Sequence, residues 1–127
     1  MVDVPPQQFE CLVEAIYHEA RGESLAGQVH VGFVVRNRVE SNQFPDGFCK
    51  VIAQPWQFSF YSSVSANIPN GPVKREVEQV AYMVVNTNPS PIPSNVLYFK
   101  TAGAKPNWDF SKLVVYKKVG NHVFYSE

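Results

Sequence analysis

Apolar residues in the first part of the chain recur by threes and fours. Phe9, Leu12, Val13, Ile16 and Ala20 follow Pro5 and Pro6, which suit a first helical turn. At about 100° per residue these five side chains fill one arc of roughly 100°. Glu10, Glu14 and Arg21 project from the other side, whereas Glu19 falls beside Leu12 on the flank of the apolar arc. Gly22 then ends the helix or bends the chain. Ser24 suits the N-cap of a second helix reaching about Ser41. Along it Leu25, Val29, Gly32, Phe33, Arg36 and Val39 repeat at helical spacing, and Val31, Val34 and Val35 widen the apolar face. A helix apolar nearly all round is buried, so this one is expected at the centre. Its β-branched run leaves a buried strand as the alternative, which the length of the stretch disfavours.

Pro45-Asp46-Gly47 marks a turn, Phe48 to Ala53 suits a short helix, and Pro55 closes it. Trp56 to Tyr61 alternates in part and reads as a short strand or an ordered loop. After Asn70-Gly71-Pro72, the positions Val73, Val77, Val80, Ala81 and Val84 trace a further amphipathic helix to about Asn86. Asn88 to Pro93 is a stiff, proline-rich connector. Val96 to Phe99 reads as a strand, and Leu113 to Lys118 and Val123 to Tyr125 flank Gly120-Asn121 as a hairpin. Helices first and a small antiparallel sheet after them predict an α+β fold, in one domain over residues 1–127.

Composition narrows the function. The chain is 45% hydrophobic and 17% charged, the balance of a globular protein. Eleven basic residues offset eleven acidic ones, so no bulk charge is available to hold nucleic acid or an anionic membrane. No apolar run approaches the roughly 20 residues that span a bilayer, so no membrane insertion is expected. Met1-Val2-Asp3-Val4-Pro5-Pro6 carries no signal-peptide pattern, which predicts synthesis in the cytoplasm and delivery by another agent. A monomer is compatible with the neutral charge. Cys11 and Cys49 form no CxxC and no metal-ligand spacing. They read as free, buried thiols, with a single disulfide as the alternative.

The chemistry left open is that of carboxylates and aromatics. His18, His30 and His122 are scattered and belong to no HExxH, so neither a metal nor another cofactor is expected. No GxSxG elbow and no phosphate-cradling glycine loop is present. Sugar chains are held by aromatic faces and cut by carboxyl groups. Trp56, Phe58, Phe60, Tyr61, Tyr98, Phe99 and Trp108 supply possible walls, against the alternative of core packing. Glu19 has the setting of a general acid, at a helix end between core and cleft. No second acid is announced by a motif. Glu23 could share the mouth or brace Arg21 or a backbone amide.

Cys11 to Glu23, with its Glu19-Ala20-Arg21-Gly22-Glu23 centre, then Gly27-Gln28 and Val34 to Val39 resemble the SleB/CwlJ-type cell-wall hydrolases. Gln57-Phe58-Ser59, Tyr98-Phe99 and Gly120 to Tyr125 extend the resemblance over nearly the whole chain. It implies a lysozyme-like, mainly helical domain with a small antiparallel sheet, acting on peptidoglycan glycan strands as a lytic transglycosylase. In that reading Glu19 is the catalytic acid and then base, which explains the missing partner. Gln57, Phe58, Ser59, Tyr98, Phe99 and His122 would contact substrate, and Tyr98 and Phe99 would exclude water from the acid. Arg21 and Glu23 would brace the helix end by a salt bridge, and Asn37 and Arg38 would support the active-site helix from behind. A phage-type endolysin released onto the wall is the biological form expected. A hydrolytic muramidase and a non-catalytic peptidoglycan binder are the alternatives.

Overall fold

A computed structural model describes residues 1, 3–54 and 68–127 of the chain. Helix α1 (Pro6–Ala20) begins with proline at its first turn, where a missing N–H costs nothing. It ends without a left-handed glycine, because Gly22 does not have a positive φ. The chain instead closes a tight turn through Glu23 N–H donating to the Ala20 carbonyl at 2.9 Å. Helix α2 (Leu25–Glu40) starts at once, and the Ser24 hydroxyl accepts from the Gly27 amide as its N-cap. Two further helices follow: the short α3 (Phe48–Ile52) and, after the segment outside the described residues, α4 (Pro72–Asn86), as long as α1.

Helix α2 is the hub, as its pattern predicts. It packs against α1, α3, α4 and the first strand, and its buried residues run from Gly27 to Arg38. Leu25 is the exception, exposed at the first turn. Gly32 lets three helices close on one another. A Cβ built there would lie 2.7 Å from Val84 Cγ2 and 3.2 Å from Ile16 Cδ1. The core joins Leu12, Val13 and Ile16 of α1 to Val31, Phe33, Val34 and Val35 of α2, and to Val77, Val80 and Val84 of α4.

Strands β1 (Val96–Thr101), β2 (Val114–Val119) and β3 (His122–Ser126) form an antiparallel sheet in the order β1-β3-β2. The central strand sends Phe124 into the helical core. A short 3₁₀ turn (Phe110–Lys112), capped by Asp109, precedes β2. Irregularities between Val96 and Tyr98 and between Val115 and Lys117 shift the register once on each side of β3. Among the described residues no helix is long and apolar enough to cross a membrane.

Three consecutive residues of α2 tie the sheet and the connector to the helices. Arg36 donates to the carbonyls of Val84 (2.8 Å) and Thr87 (2.6 Å) and to Asn88 Oδ1 (2.6 Å), holding the C-terminal end of α4. Asn37 Nδ2 donates to the carbonyls of Pro93 (2.9 Å) and Val96 (3.0 Å). Arg38 Nε donates to the Leu97 carbonyl at 2.7 Å. Arg36 counted as a core-face position from its spacing, and it is buried, but as a donor to backbone carbonyls.

Cys11 and Cys49 are joined in a disulfide between α1 and α3, not free thiols. Their separation of 38 residues hides a packing that places α3 against α1, where Gln8 Oε1 also accepts from the Cys49 amide at 3.1 Å. Closing a loop of that size constrains the unfolded chain by about 2–4 kcal/mol. We expect Cys11→Ser/Cys49→Ser to lose about that much in urea unfolding. Adding reductant should lower the native midpoint toward that of the variant and leave the variant unchanged. Equal midpoints for the oxidised native protein and the variant would show that the bond carries no stability.

Candidate active site

Glu19 is the penultimate residue of α1, half-buried where that helix meets the start of β3 and the end of α2. Its neighbours on the helix are core residues, Ala15, Ile16 and Ala20. The flank position inferred from helical spacing is therefore the one the fold supplies.

The corner after Glu19 is fixed from the sheet. Glu23 accepts from the Asn121 amide at 2.9 Å and from Asn121 Nδ2 at 3.3 Å, one bond to each carboxylate oxygen. Gly120, the first of the two loop residues of the β2–β3 hairpin, has φ 58°, a left-handed value that suits glycine. A Cβ there would also run into Glu23 Oε1, so the glycine is required twice over. The Asn121 backbone bond is the main cause holding the Glu23 carboxyl below its ordinary pKa, with further help from His122 and the Asn121 side chain.

His122 begins β3 and is only 3% exposed. Its imidazole hydrogen-bonds to the backbone of Glu19, and its Nδ1 lies 3.7 Å from Glu23 Oε1, beyond hydrogen-bond reach. Phe99 and Phe124 pack against the ring, with centroids 5.5 and 6.1 Å away. Burial lowers its pKa, against the opposing pull of Glu23 and of the Glu19 backbone bond. His122 thus sets the end of the acid-bearing helix against the sheet.

Arg38 approaches from α2. It is 1% exposed, and its guanidinium lies 4.8 Å from the Phe44 ring centre and 5.2 Å from that of Tyr98. Burial pulls its pKa down to about 10, while Tyr98 and the Glu19 carboxylate work in the other direction. It remains a cation at neutral pH, buried within electrostatic reach of Glu19. The Tyr98 hydroxyl is in turn pushed up by burial first and by Glu127 second.

Other sequence expectations change in detail. Arg21 does not bridge to Glu23; it lies 4.8 Å from the Tyr17 ring centre and stacks there. Asn37 and Arg38 brace β1 and the connector, and Arg38 in addition lies within electrostatic reach of Glu19 on α1. Tyr98 and Phe99 do not form one wall, because successive strand residues face opposite ways. Phe99 packs toward Phe124, whereas Tyr98 meets Phe44 and Trp108. Gln57, Phe58 and Ser59, with Trp56, Phe60 and Tyr61, lie outside the described residues. Among the described residues no cluster of three or more His, Cys, Asp or Glu could hold a metal ion. Sequence reasoning placed Arg38 behind the active-site helix but did not identify it as a charge acting on Glu19.

A family model described as Cell Wall Hydrolase matches residues 22–125, beginning just past Glu19. Among curated proteins, the spore cortex-lytic enzyme of Oceanobacillus iheyensis is 33% identical over 117 residues, covering 91% of this chain and 40% of its own. That of Halalkalibacterium halodurans is 30% identical over 119 residues, covering 91% and 34%. The chain therefore spans well under half the length of these relatives. Among solved structures, the catalytic domain of the germination-specific lytic transglycosylase SleB from Bacillus anthracis superposes with a TM-score of 0.74 at 28% identity, covering 98% of both chains. The catalytic domain of the Bacillus cereus SleB protein gives 0.73 at 28% identity, covering 98% of this chain and 93% of that one.

A carboxyl whose folded pKa lies below its ordinary value adds stability above that value and loses it as the pH falls through the folded one. Glu23→Gln should accordingly be less stable than the native protein near neutral pH. In urea titrations the gap should close as the pH falls below the ordinary carboxyl value of 4.5. His122, whose pKa Glu23 pulls up, is lowered further in the variant. The gap therefore first widens as the pH falls below the ordinary imidazole value of 6.5 and closes only as the Glu23 carboxyl is protonated. A gap that stays constant from neutral pH into acid would sink the Glu23–Asn121 clamp.

Proposed function

The chain belongs to the cell wall hydrolase family, and on that premise we propose that it is a peptidoglycan lytic transglycosylase with Glu19 as its single acid and base. In this mechanism the Glu19 carboxyl gives its proton to the oxygen bridging MurNAc and GlcNAc. The C1–O bond breaks, and the GlcNAc side leaves with a hydroxyl. The Glu19 carboxylate then takes the proton of the muramic 6-hydroxyl as that oxygen bonds to C1, which closes a 1,6-anhydro ring and restores the acid. No water is consumed.

The observation that carries this reading is the pairing of roles at the helix corner. Glu23, the nearest acid in sequence, has both oxygens engaged by Asn121, which leaves Glu19 to do both proton transfers. The buried Arg38 cation offsets the negative charge that Glu19 bears between the two transfers. His122, held neutral by burial, fixes the helix end without contributing a charge of its own. The Bacillus anthracis relative is a germination-specific lytic transglycosylase, which agrees with this chemistry. The Cys11–Cys49 disulfide suits action outside the reducing cytoplasm, on the wall itself.

Glu19→Gln tests the proposal. Turnover of purified sacculi should fall by about 10²–10⁴, the usual worth of a general acid, while folding and sacculus binding persist. Clearance near the native rate would remove Glu19 from its role. Mass spectrometry of native digests should find anhydro-muropeptides. Reducing ends in their place would make water the nucleophile and the enzyme a muramidase.

A further inference from the structure

The sheet carries a second aromatic surface beyond the residues that surround Glu19. Cross-strand partners share a face, so Val115, Tyr125 and Tyr98 form one row across the outer side of the sheet. Lys118, Val123 and Lys100 form the adjacent row on the same side. The β1–β2 connection lays Trp108 and Phe110 over this face. Trp108 lies 5.3 Å from Tyr98, 5.7 Å from Phe110 and 6.2 Å from Tyr125, as ring centroids. Phe110 remains 40% exposed, and Val115 of the same row 59%.

Charge is segregated as well. Residues 96–127 hold five lysines against only Asp109 and Glu127, in a chain that is neutral overall. The helical part carries the compensating acidic excess. Tyr98 links the two regions, because it touches Arg38 on one side and Trp108 on the other. Lysines on edge strands also discourage edge-to-edge pairing, but that role asks for no aromatic row beside them.

We propose that this outer sheet face, with Trp108 and Phe110 beside the row of Lys100 and Lys118, is a second binding surface for the anionic peptidoglycan strand. Aromatic faces stack on sugar rings, and the lysines pair with carboxylates of the stem peptides. The surface lies on the sheet that also helps to hold Glu19, with Tyr98 in contact with both Arg38 and Trp108. The inference rests on the proposed peptidoglycan substrate and extends it to a site away from the reacting bond.

The test is sedimentation of the full chain with purified sacculi at several salt concentrations, in the Glu19→Gln background so that the polymer persists. One set of sacculi is stripped of phosphate-bearing wall polymers and the other is left intact. We expect salt-sensitive binding to both sets. Trp108→Ala should weaken it about tenfold, the scale on which a truncated aromatic anchor acts. Lys100→Gln/Lys118→Gln should weaken it too and remove much of the salt dependence. If Trp108→Ala fails to fold, the lysine pair, of which Lys118 is exposed and Lys100 half-buried, decides alone. Unchanged binding in the lysine variant, or parental binding lost on stripping phosphate, overturns the proposal. A Glu19→Gln protein that still digests walls would instead overturn the catalytic assignment, with the binding comparison intact at low temperature.

Discussion

The structure depends on three buried donors in a row at the end of α2. Arg36, Asn37 and Arg38 serve the carbonyls of Val84, Thr87, Pro93, Val96 and Leu97, where the chain leaves α4, crosses a proline-rich stretch and enters β1. That stretch has little secondary structure of its own to satisfy its backbone. A carbonyl buried without a donor costs about 1–3 kcal/mol, so the connector can run against the core only because α2 brings the donors to it. The central helix thus does two jobs with one sequence. Its valines fill the core, and its last turns anchor the sheet.

The acid inherits its position from that anchoring. Arg38 is bonded to β1 through Leu97, and Tyr98 of the same strand packs on its guanidinium. From the other side His122 holds the backbone of Glu19, and Glu23 holds the hairpin turn. Two independent attachments to the sheet therefore bracket one side chain on a helix end. Desolvating a guanidinium is expensive, and the fold offsets that cost with a carbonyl, two aromatic faces and a nearby carboxylate rather than a direct partner charge alone. The arrangement makes Arg38 a fixed source of positive potential, with little freedom to swing out to solvent.

Much of this was legible in the sequence, and the failures have a common cause. Helical periodicity located α1, α2 and α4 and put Glu19 on its shoulder, because amphipathic spacing is a local signal. The glycine-asparagine turn announced the hairpin for the same reason. What spacing does not encode is which distant backbone a polar side chain will meet. Arg36 counted as a core-face position, and the bonds of Asn37 and Arg38 to the connector and β1 carry no local signal. Arg21 was paired with its sequence neighbour when an aromatic ring one turn earlier was the better partner. Tyr98 and Phe99 were grouped despite strand alternation, which sends them to opposite faces. The disulfide ranked below free thiols because nothing local signals that α3 returns to α1. Of the expected site, Gln57, Phe58 and Ser59 fall outside the described residues.

The bond between Cys11 and Cys49 also closes a covalent ring. Within it lie Glu19, the Glu23 corner, all of α2 and the three donors at its end. A protease that nicks the chain at the exposed turn around Arg21 and Gly22, or in the loop before α3, opens the ring without releasing a fragment. The severed pieces stay tethered beside the core that assembled them. Every helical component of the site thus remains part of one molecule after a single cut.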